Sequence, residues 1–452
     1  MYVCRSQWPV GQGNFSSGVV ASDRPRDRRR NEYNYVYDCG GSSKKLVGAQ
    51  IDRLISEIAP AAVDAVFLSH LDQDHVKGFE ELCSKLKDEE RNVKAVFLPY
   101  LGAAELAAHL AGILSRTFLL KHYFLWNDGV ADAYLDPSAW FGERGVEIVY
   151  LVGGAESSST EFDFVPSDPE LPPSTSEGLG EELPPLDIPD VESTPAGKPF
   201  ESSGPGQKAN VRHVNPGHGQ ILKAPSIALS WLLLPYCHPI NDHWLKVFKE
   251  EVVRRFGLKG ETSIDLSFLK DTLRTPWKRT KLKQCYNYTQ KLRSGNSDHN
   301  TLSLSLYSGL HPGVEMSHHV EGFYWCSSQQ QIIHGRSFFH TWKEAAWIGT
   351  GDAKLKDKSI RDKWKNFFSP IMEQLVTLIL PHHGSRFSFD ESILDSHSLK
   401  FCVAASNPQH KRYRHPHSQV VDAVGRHGKD LISVTKDQRS RFIEGMYWKR
   451  WR

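Results

Sequence analysis

Two histidines and two aspartates crowd into six residues at the end of an apolar strand: Phe67-Leu68-Ser69-His70-Leu71-Asp72-Gln73-Asp74-His75. Imidazoles and carboxylates at this density compete for water unless a cation gathers them. Mixed nitrogen and oxygen ligands suit zinc, manganese or iron, the carboxylate share leaning towards the harder ions. The plainer reading is a polar strand-to-helix turn in which Asp74 caps a helix starting at His75.

Four further clusters sit just past apolar strands. Tyr35-Val36-Tyr37-Asp38-Cys39-Gly40-Gly41 ends in a carboxylate and a glycine turn, and Trp347-Ile348-Gly349-Thr350-Gly351-Asp352 in an aspartate whose flanking glycines allow close backbone approach. Leu378-Ile379-Leu380-Pro381-His382-His383-Gly384-Ser385 ends in paired histidines, and Arg412-Tyr413-Arg414-His415-Pro416-His417 sets two histidines beside two arginines. Each alone reads equally well as turn carboxylates, a helix cap at Asp390 or surface histidines. Together they place polar groups behind five strand endings, where open α/β sheets gather their ligands.

The elements that must position them alternate. Strands are expected at Val19–Ala21, Tyr33–Tyr37, Ala65–Leu68, Val93–Leu98, Ile227–Leu234, Thr301–Tyr307, Tyr324–Cys326, Ala346–Gly349, Leu375–Leu380, Phe401–Ala404 and Leu431–Val434. Helices are expected at Leu46–Ile58, Val76–Leu86, Ala103–Leu114, Lys363–Gln374 and Val420–Gly425. The alternation indicates an α/β class.

Composition is that of an ordinary globular protein. No apolar run is long enough to span a bilayer, and the first residues lack a charged region followed by an apolar core. No membrane partner is therefore expected. The seven cysteines are scattered without a CxxC pair, which fits reduced thiols in a cytoplasmic protein. Residues 155–210 hold twelve acids against two lysines among Ser, Pro and Gly, and read as a disordered acidic insertion. Residues 241–295 reverse the balance, with thirteen Lys or Arg against six acids, and read as a basic helical insertion interleaved with Trp277, Tyr286 and Tyr288. Smaller basic clusters lie at Arg24–Arg30 and Lys449–Arg452.

Taken in order, Val10-Gly11-Gln12-Gly13-Asn14, Asp38-Cys39-Gly40-Gly41, Ser69 to His75, Asn300-Thr301-Leu302, Thr350-Gly351-Asp352, Pro381 to Ser385 and His415-Pro416-His417 cover nearly the whole chain outside the two insertions. The chain resembles the metallo-β-lactamase-fold hydrolases, and within them the hydrolase domain of ComEC-type DNA-uptake proteins. The resemblance implies one four-layer αβ/βα sandwich over residues 1–452, with its site on an open edge. It also implies that His70 and Asp72 hold one metal, that Asp74, His75 and His383 hold a second, and that Asp352 bridges them. Asp38 would orient a ligand or the attacking water. Two departures from the wider family matter. Asp72 stands where a histidine is usual, which moves the expected metals from Zn²⁺ towards Mn²⁺. Asn300 stands where a histidine ligand is usual and leaves the first site short, with His299 or Asp298 as substitutes.

Two divalent ions would clamp the attacking and leaving oxygens of an in-line displacement, with Asp74 or Asp38 receiving the proton of the attacking water. Arg412 and Arg414 suit the non-bridging oxygens of a phosphodiester, and His415 or His417 the protonation of its leaving oxygen. Asn300, Ser385, Lys278 and Arg279 complete the expected substrate contacts. Lys and Arg neutralise phosphates while aromatic rings stack bases, so the basic insertion points to nucleic acid, single-stranded DNA before duplex. A solvated helical face is the alternative for that charge run. The expected activity is a two-metal nuclease or phosphodiesterase. A small-substrate hydrolase acting on a cyclic nucleotide, lactone or thioester, and a non-catalytic binding module, are the competing readings.

Overall fold

The computed structural model describes residues 1–21, 32–116, 130–153, 207–214, 219–224, 229–238, 242–292, 303–312, 318–326, 331–335, 344–409 and 414–450. In chain order the strands are β1 (Tyr2–Gln7), β2 (Phe15–Ala21), β3 (Glu32–Cys39), β4 (Val63–Phe67), β5 (Val93–Pro99), β6 (Ile148–Val152), β7 (Asn210–Val214), β8 (Gln220–Ala224) and β9 (Leu229–Cys237). They continue with β10 (Leu304–Leu310), β11 (His318–Cys326), β12 (Gln331–Gly335), β13 (Ala346–Gly349), β14 (Leu375–Ile379), β15 (Phe401–Ala405), β16 (Asp430–Val434) and β17 (Phe442–Arg450).

One sheet has the order β12-β11-β17-β1-β2-β3-β4-β5-β6-β7 and the other β16-β15-β14-β13-β10-β9-β8. Strands β3 to β7 are parallel, as are β13 to β16. Parallel strands carry their chain-following loops at a common edge, so each sheet delivers its polar turns to one side.

Every residue of β4, β14 and β15 is buried, so these strands need cover on both faces. Between the sheets Tyr37, Phe67 and Phe97 of the first meet Trp231, Leu306 and Trp347 of the second. Outside the first sheet lie helix Lys44–Ile58, which buries Val47, Ile51, Leu54 and Ile58, and helix Phe79–Asp88. Outside the second lie helices Lys358–Phe368 and Ser418–Arg426. The result is a four-layer helix–sheet–sheet–helix sandwich. Helix Ala103–Arg116 shares a further apolar cluster with helices Asp242–Phe256, Leu266–Arg274 and Pro276–Lys291 of the basic segment.

Two helices depart from expectation. The single helix expected at Val76–Leu86 is two pieces, Gln73–Val76 and Phe79–Asp88. The break falls at Lys77 and Gly78; an added Cβ at Gly78 would meet Val47 Cγ1 at 2.3 Å, so the close packing there requires glycine. The helix expected at Lys363–Gln374 is α-helical only from Lys358 to Phe368 and then tightens to a 3₁₀ segment, Ser369–Gln374. Pro370 has no N–H for an α-helical bond and starts the new turn. The acidic insertion lies outside the described residues except for its last positions, where Asn210 opens β7.

One ion pair is buried between the sheets. Arg5 Nε lies 2.6 Å from Glu444 Oε1, with both side chains under 5% exposed (4% and 2%). Arg5 also donates to the carbonyls of Ser308 and Ala345 at 2.8 and 2.7 Å, and Thr377 Oγ1 donates to Glu444 Oε2 at 2.7 Å. Among the described residues no helix is long and apolar enough to cross a membrane.

Candidate metal centre

The first sheet supplies its share of the centre through Asp38 and the turn after β4. Asp38, next to the last residue of β3, has φ 55°, a left-handed conformation that turns its side chain inward. It is fully buried, and its carboxylate accepts four hydrogen bonds: from Asn14 Nδ2 (2.9 Å), Ser69 N (2.7 Å), Ser69 Oγ (2.8 Å) and His75 Nδ1 (2.8 Å). With both oxygens so engaged, Asp38 holds the groups around it in place. It is a positioning residue for His75.

After β4 the chain turns through Ser69 to His75. The short helix Gln73–Val76 has Asp72 at its N-cap, without a side-chain capping bond, and Asp74 inside its first turn. Neither carboxylate serves as a cap, so the plainer reading of this cluster, with Asp74 capping at His75, does not hold. The Asp74 side chain is 37% exposed, at the rim.

The second sheet supplies the rest. Gly351, at φ 53°, lies so close to the first sheet's turn that an added Cβ would meet Ser69 Cβ at 2.6 Å. That approach delivers Asp352, whose amide donates to Ser303 Oγ at 3.1 Å. After β14 both His382 and His383 take left-handed φ values, 48° and 59°, and the His382 amide donates to the Gly351 carbonyl at 2.9 Å.

Four imidazoles thereby surround one carboxylate. Around Asp352 Oδ1 stand His75 Nε2 at 3.2 Å and His383 Nε2 at 3.9 Å. Around Oδ2 stand His70 Nε2 at 3.7 Å and His382 Nε2 at 3.6 Å. Asp74 Oδ2 adds to the first group, 3.3 Å from His383 Nε2, and Asp72 Oδ2 to the second, 3.7 Å from His70 Nε2. Two triads, His70–His75–Asp352 and Asp74–His75–His383, hold their ligand atoms within 4.8 Å of one another. The buried Nε2 atoms of His70, His75 and His383 make no hydrogen bond among the described residues. Buried ring nitrogens aimed at buried carboxylates, without a hydrogen bond of their own, fit a divalent cation.

The electrostatics agree. Burial works against a charge on His75, yet Asp38 and Asp352 hold its pKa well above the imidazole range. Burial likewise opposes ionisation of Asp352, but His382, His75 and His70 hold it well below the carboxylate range. Burial and the neighbouring His75 push His70 down. The two carboxylates thus favour positive charge at His75, as they would a cation.

The remaining expected residues scatter. His415 is 7% exposed, its ring 5.9 Å from that of His382. Burial, with His383 and His382 nearby, pushes its pKa to about 3. His417 is the N-cap of helix Ser418–Arg426, its Nδ1 accepting from Gln419 N at 3.2 Å, so Nε2 is the nitrogen left for chemistry. Arg414 is exposed with φ 46°. Ser385 is buried, and its hydroxyl accepts the Phe387 amide at 3.3 Å. Lys278, half-buried, pairs with Asp271, and Arg279, also half-buried, has its Nε covered. Tyr286 is core. Trp277 and Tyr288 are 60% and 43% exposed, on a helix with five Lys or Arg and no acid. Arg412, Asn300, Asp298, His299 and Arg24–Arg30 lie outside the described residues.

Three participants were not singled out from sequence. Ser69 Oγ contacts Asp38, His70 Nδ1 (2.9 Å) and His75 Nδ1 (3.2 Å). Tyr134 Oη accepts the Leu71 amide at 3.2 Å, between two expected ligands. His382 stands with the ligands although its neighbour alone was expected there. Ser69 immediately precedes His70 and His382 is one of a visible pair, so both had a signal; Tyr134 had none.

Residues 28–137 match the family model of the Metallo-beta-lactamase superfamily. The matched stretch contains Asp38 and His70 to His75. Asp352 and His383 lie beyond it and join the centre through the fold. Two sheets with helices outside are consistent with the metallo-β-lactamase fold, and the match points to a metal-dependent hydrolase. A comparison with curated proteins gives no match.

Proposed function

We propose that this protein is a phosphodiesterase that cleaves nucleic acid, single-stranded DNA in the first place, with two divalent cations, Mn²⁺ or Zn²⁺, at the centre. The observation that carries the reading is the division of ligands across Asp352, with imidazoles and a second carboxylate on each side. Cations held there would stabilise the phosphate oxygens and acidify a water. Asp38, Ser69 and Asn14 hold the His75 ring rigid. Asp74, exposed at the rim, would accept a proton from an attacking water. The exposed Arg414 guanidinium suits a phosphate oxygen, and His417 Nε2 the leaving oxygen. The resemblance to ComEC-type hydrolase domains and the basic helix Pro276–Lys291 support DNA as substrate, and the free thiols fit a cytoplasmic protein.

One observation favours a small substrate instead. A cleft of about 460 Å³ lies at the carboxyl ends of β5 and β6, lined by Tyr100, Leu106, Tyr134 and Ile264. Its apolar walls suit a lactone or a thioester acyl chain.

Purified protein incubated with single-stranded DNA, duplex DNA, RNA and cyclic dinucleotides, with EDTA or with added Mn²⁺ or Zn²⁺, separates the readings. Cleavage of single-stranded DNA, lost in EDTA and in Asp74→Ala and Asp352→Ala, is the expected result. Cleavage surviving in those variants or in EDTA overturns it, and turnover confined to small esters transfers the site to the second reading.

A further inference from the structure

We propose that His382 is a metal ligand on the His70 and Asp72 side of Asp352. The inference rests on the two-cation reading above. Its basis is how the ring is mounted. His70 Nδ1 is tied to Ser69 Oγ at 2.9 Å and His75 Nδ1 to Asp38 Oδ2 at 2.8 Å, so each presents Nε2 to Asp352. His382 is built the same way: Nδ1 meets Ser388 Oγ at 3.3 Å and Nε2 lies 3.6 Å from Asp352 Oδ2. A hydrogen bond at one ring nitrogen that fixes the orientation of the other is the usual support of a ligating imidazole.

The backbone points the same way. Successive non-glycine residues at positive φ are costly, and a surface turn has no need of two. At His382 and His383 they send adjacent side chains to opposite oxygens of one carboxylate. Without His382 the Oδ2 side holds one imidazole and Asp72, while the Oδ1 side holds two imidazoles and Asp74. With it the two sides are equal in number and kind.

The test is metal uptake by the apoprotein, followed by calorimetric titration with Mn²⁺ and with Zn²⁺ alone and by the metal content of the dialysed protein. Wild type takes up two equivalents. His382→Ala takes up one and keeps the thermal stabilisation that this equivalent confers. Ser388→Ala keeps both rings and weakens one class of site by about 10–100-fold. If His382→Ala binds two equivalents with wild-type affinities, or Ser388→Ala leaves both affinities unchanged, the assignment is overturned. A wild type that takes up only one equivalent overturns the two-cation reading itself, which separates the two failures.

Discussion

Asp38 Oδ2 lies 2.8 Å from His75 Nδ1, so the ring that both triads share presents only Nε2 to Asp352. The carboxylate that orients the ring belongs to β3, and the one that receives its far nitrogen follows β13. His75 is thus fixed by both sheets at once. Asp38→Asn keeps the shape but weakens that hold, and metal affinity should fall about 10–100-fold with the fold retained. Competition with a chromophoric chelator measures it, and an unchanged affinity would contradict the role.

Metal uptake should release protons. Asp38 and Asp352 raise the His75 pKa well above the imidazole range, so the folded apoprotein should carry a proton on this ring, and coordination at Nε2 requires the neutral ring. Binding therefore weakens as pH falls through neutrality. Calorimetry in buffers of differing ionisation enthalpy reads the released proton directly. Uptake without proton release would place the proton elsewhere.

His238 should make the fold acid-sensitive. It is fully buried, its Nε2 meets Ser305 Oγ at 2.9 Å, and burial pushes its pKa down to about 3. An unfolded chain would protonate this ring near its ordinary pKa of about 6.5. The unfolded state then binds more protons as pH falls from there towards the folded pKa, and stability drops across that window by about 1.4 kcal/mol per unit at most. His238→Asn should flatten the loss of melting temperature on acidification while lowering it at neutral pH. An equal acid slope in both proteins would rule His238 out.

The outer helix should contribute affinity without touching the metals. Trp277 and Tyr288 stand exposed among lysines and arginines, with Lys278 and Lys281 each 5.5 Å from the Trp277 ring centre. Base stacking is worth about 1–3 kcal/mol per base, so Trp277→Ala should weaken binding of an oligothymidylate by about 5–150-fold. Fluorescence anisotropy in EDTA follows this without cleavage. Wild-type affinity in that variant would leave the helix as a solvated face.

Glu444→Ala should be among the most damaging substitutions outside the centre. It strands the Arg5 guanidinium between the sheets and removes the acceptor of Thr377, at a cost of about 3–5 kcal/mol. Denaturant midpoints measure it; a change under about 1 kcal/mol would mean that water reaches the cation.

What the sequence disclosed was local. Polar residues behind apolar runs marked β3, β4, β13 and β14 as the strands that carry the centre, because side-chain type and strand ends are both written in order along the chain. What it concealed depends on backbone angles and on distance. The adjacent histidines are visible, but the left-handed turns at His382 and His383 that send both rings to Asp352 have no compositional signature. Tyr286 and Tyr288 look alike on paper, yet one packs against Trp244 and the other meets solvent, because the helix phase is set by its partners. The strands β1 and β17 are not among the expected ones; β17 pairs with β1 and β11, both far from it in the chain.

That last pairing has a bearing on how the protein is made. β17 lies between β1 and β11 in the first sheet, and its Met446 and Trp448 fill the space beneath Val3 and Trp231. On the ribosome the turn bearing His70 to His75 emerges early, yet the sheet beneath it cannot be completed until the strand some 370 residues later arrives (Phe442 against His70). Such long-range closure is slow. Nascent chains would carry half a metal site on an unfinished sheet, and competence to hold metal should appear in a single late step, when the final strand locks between the others.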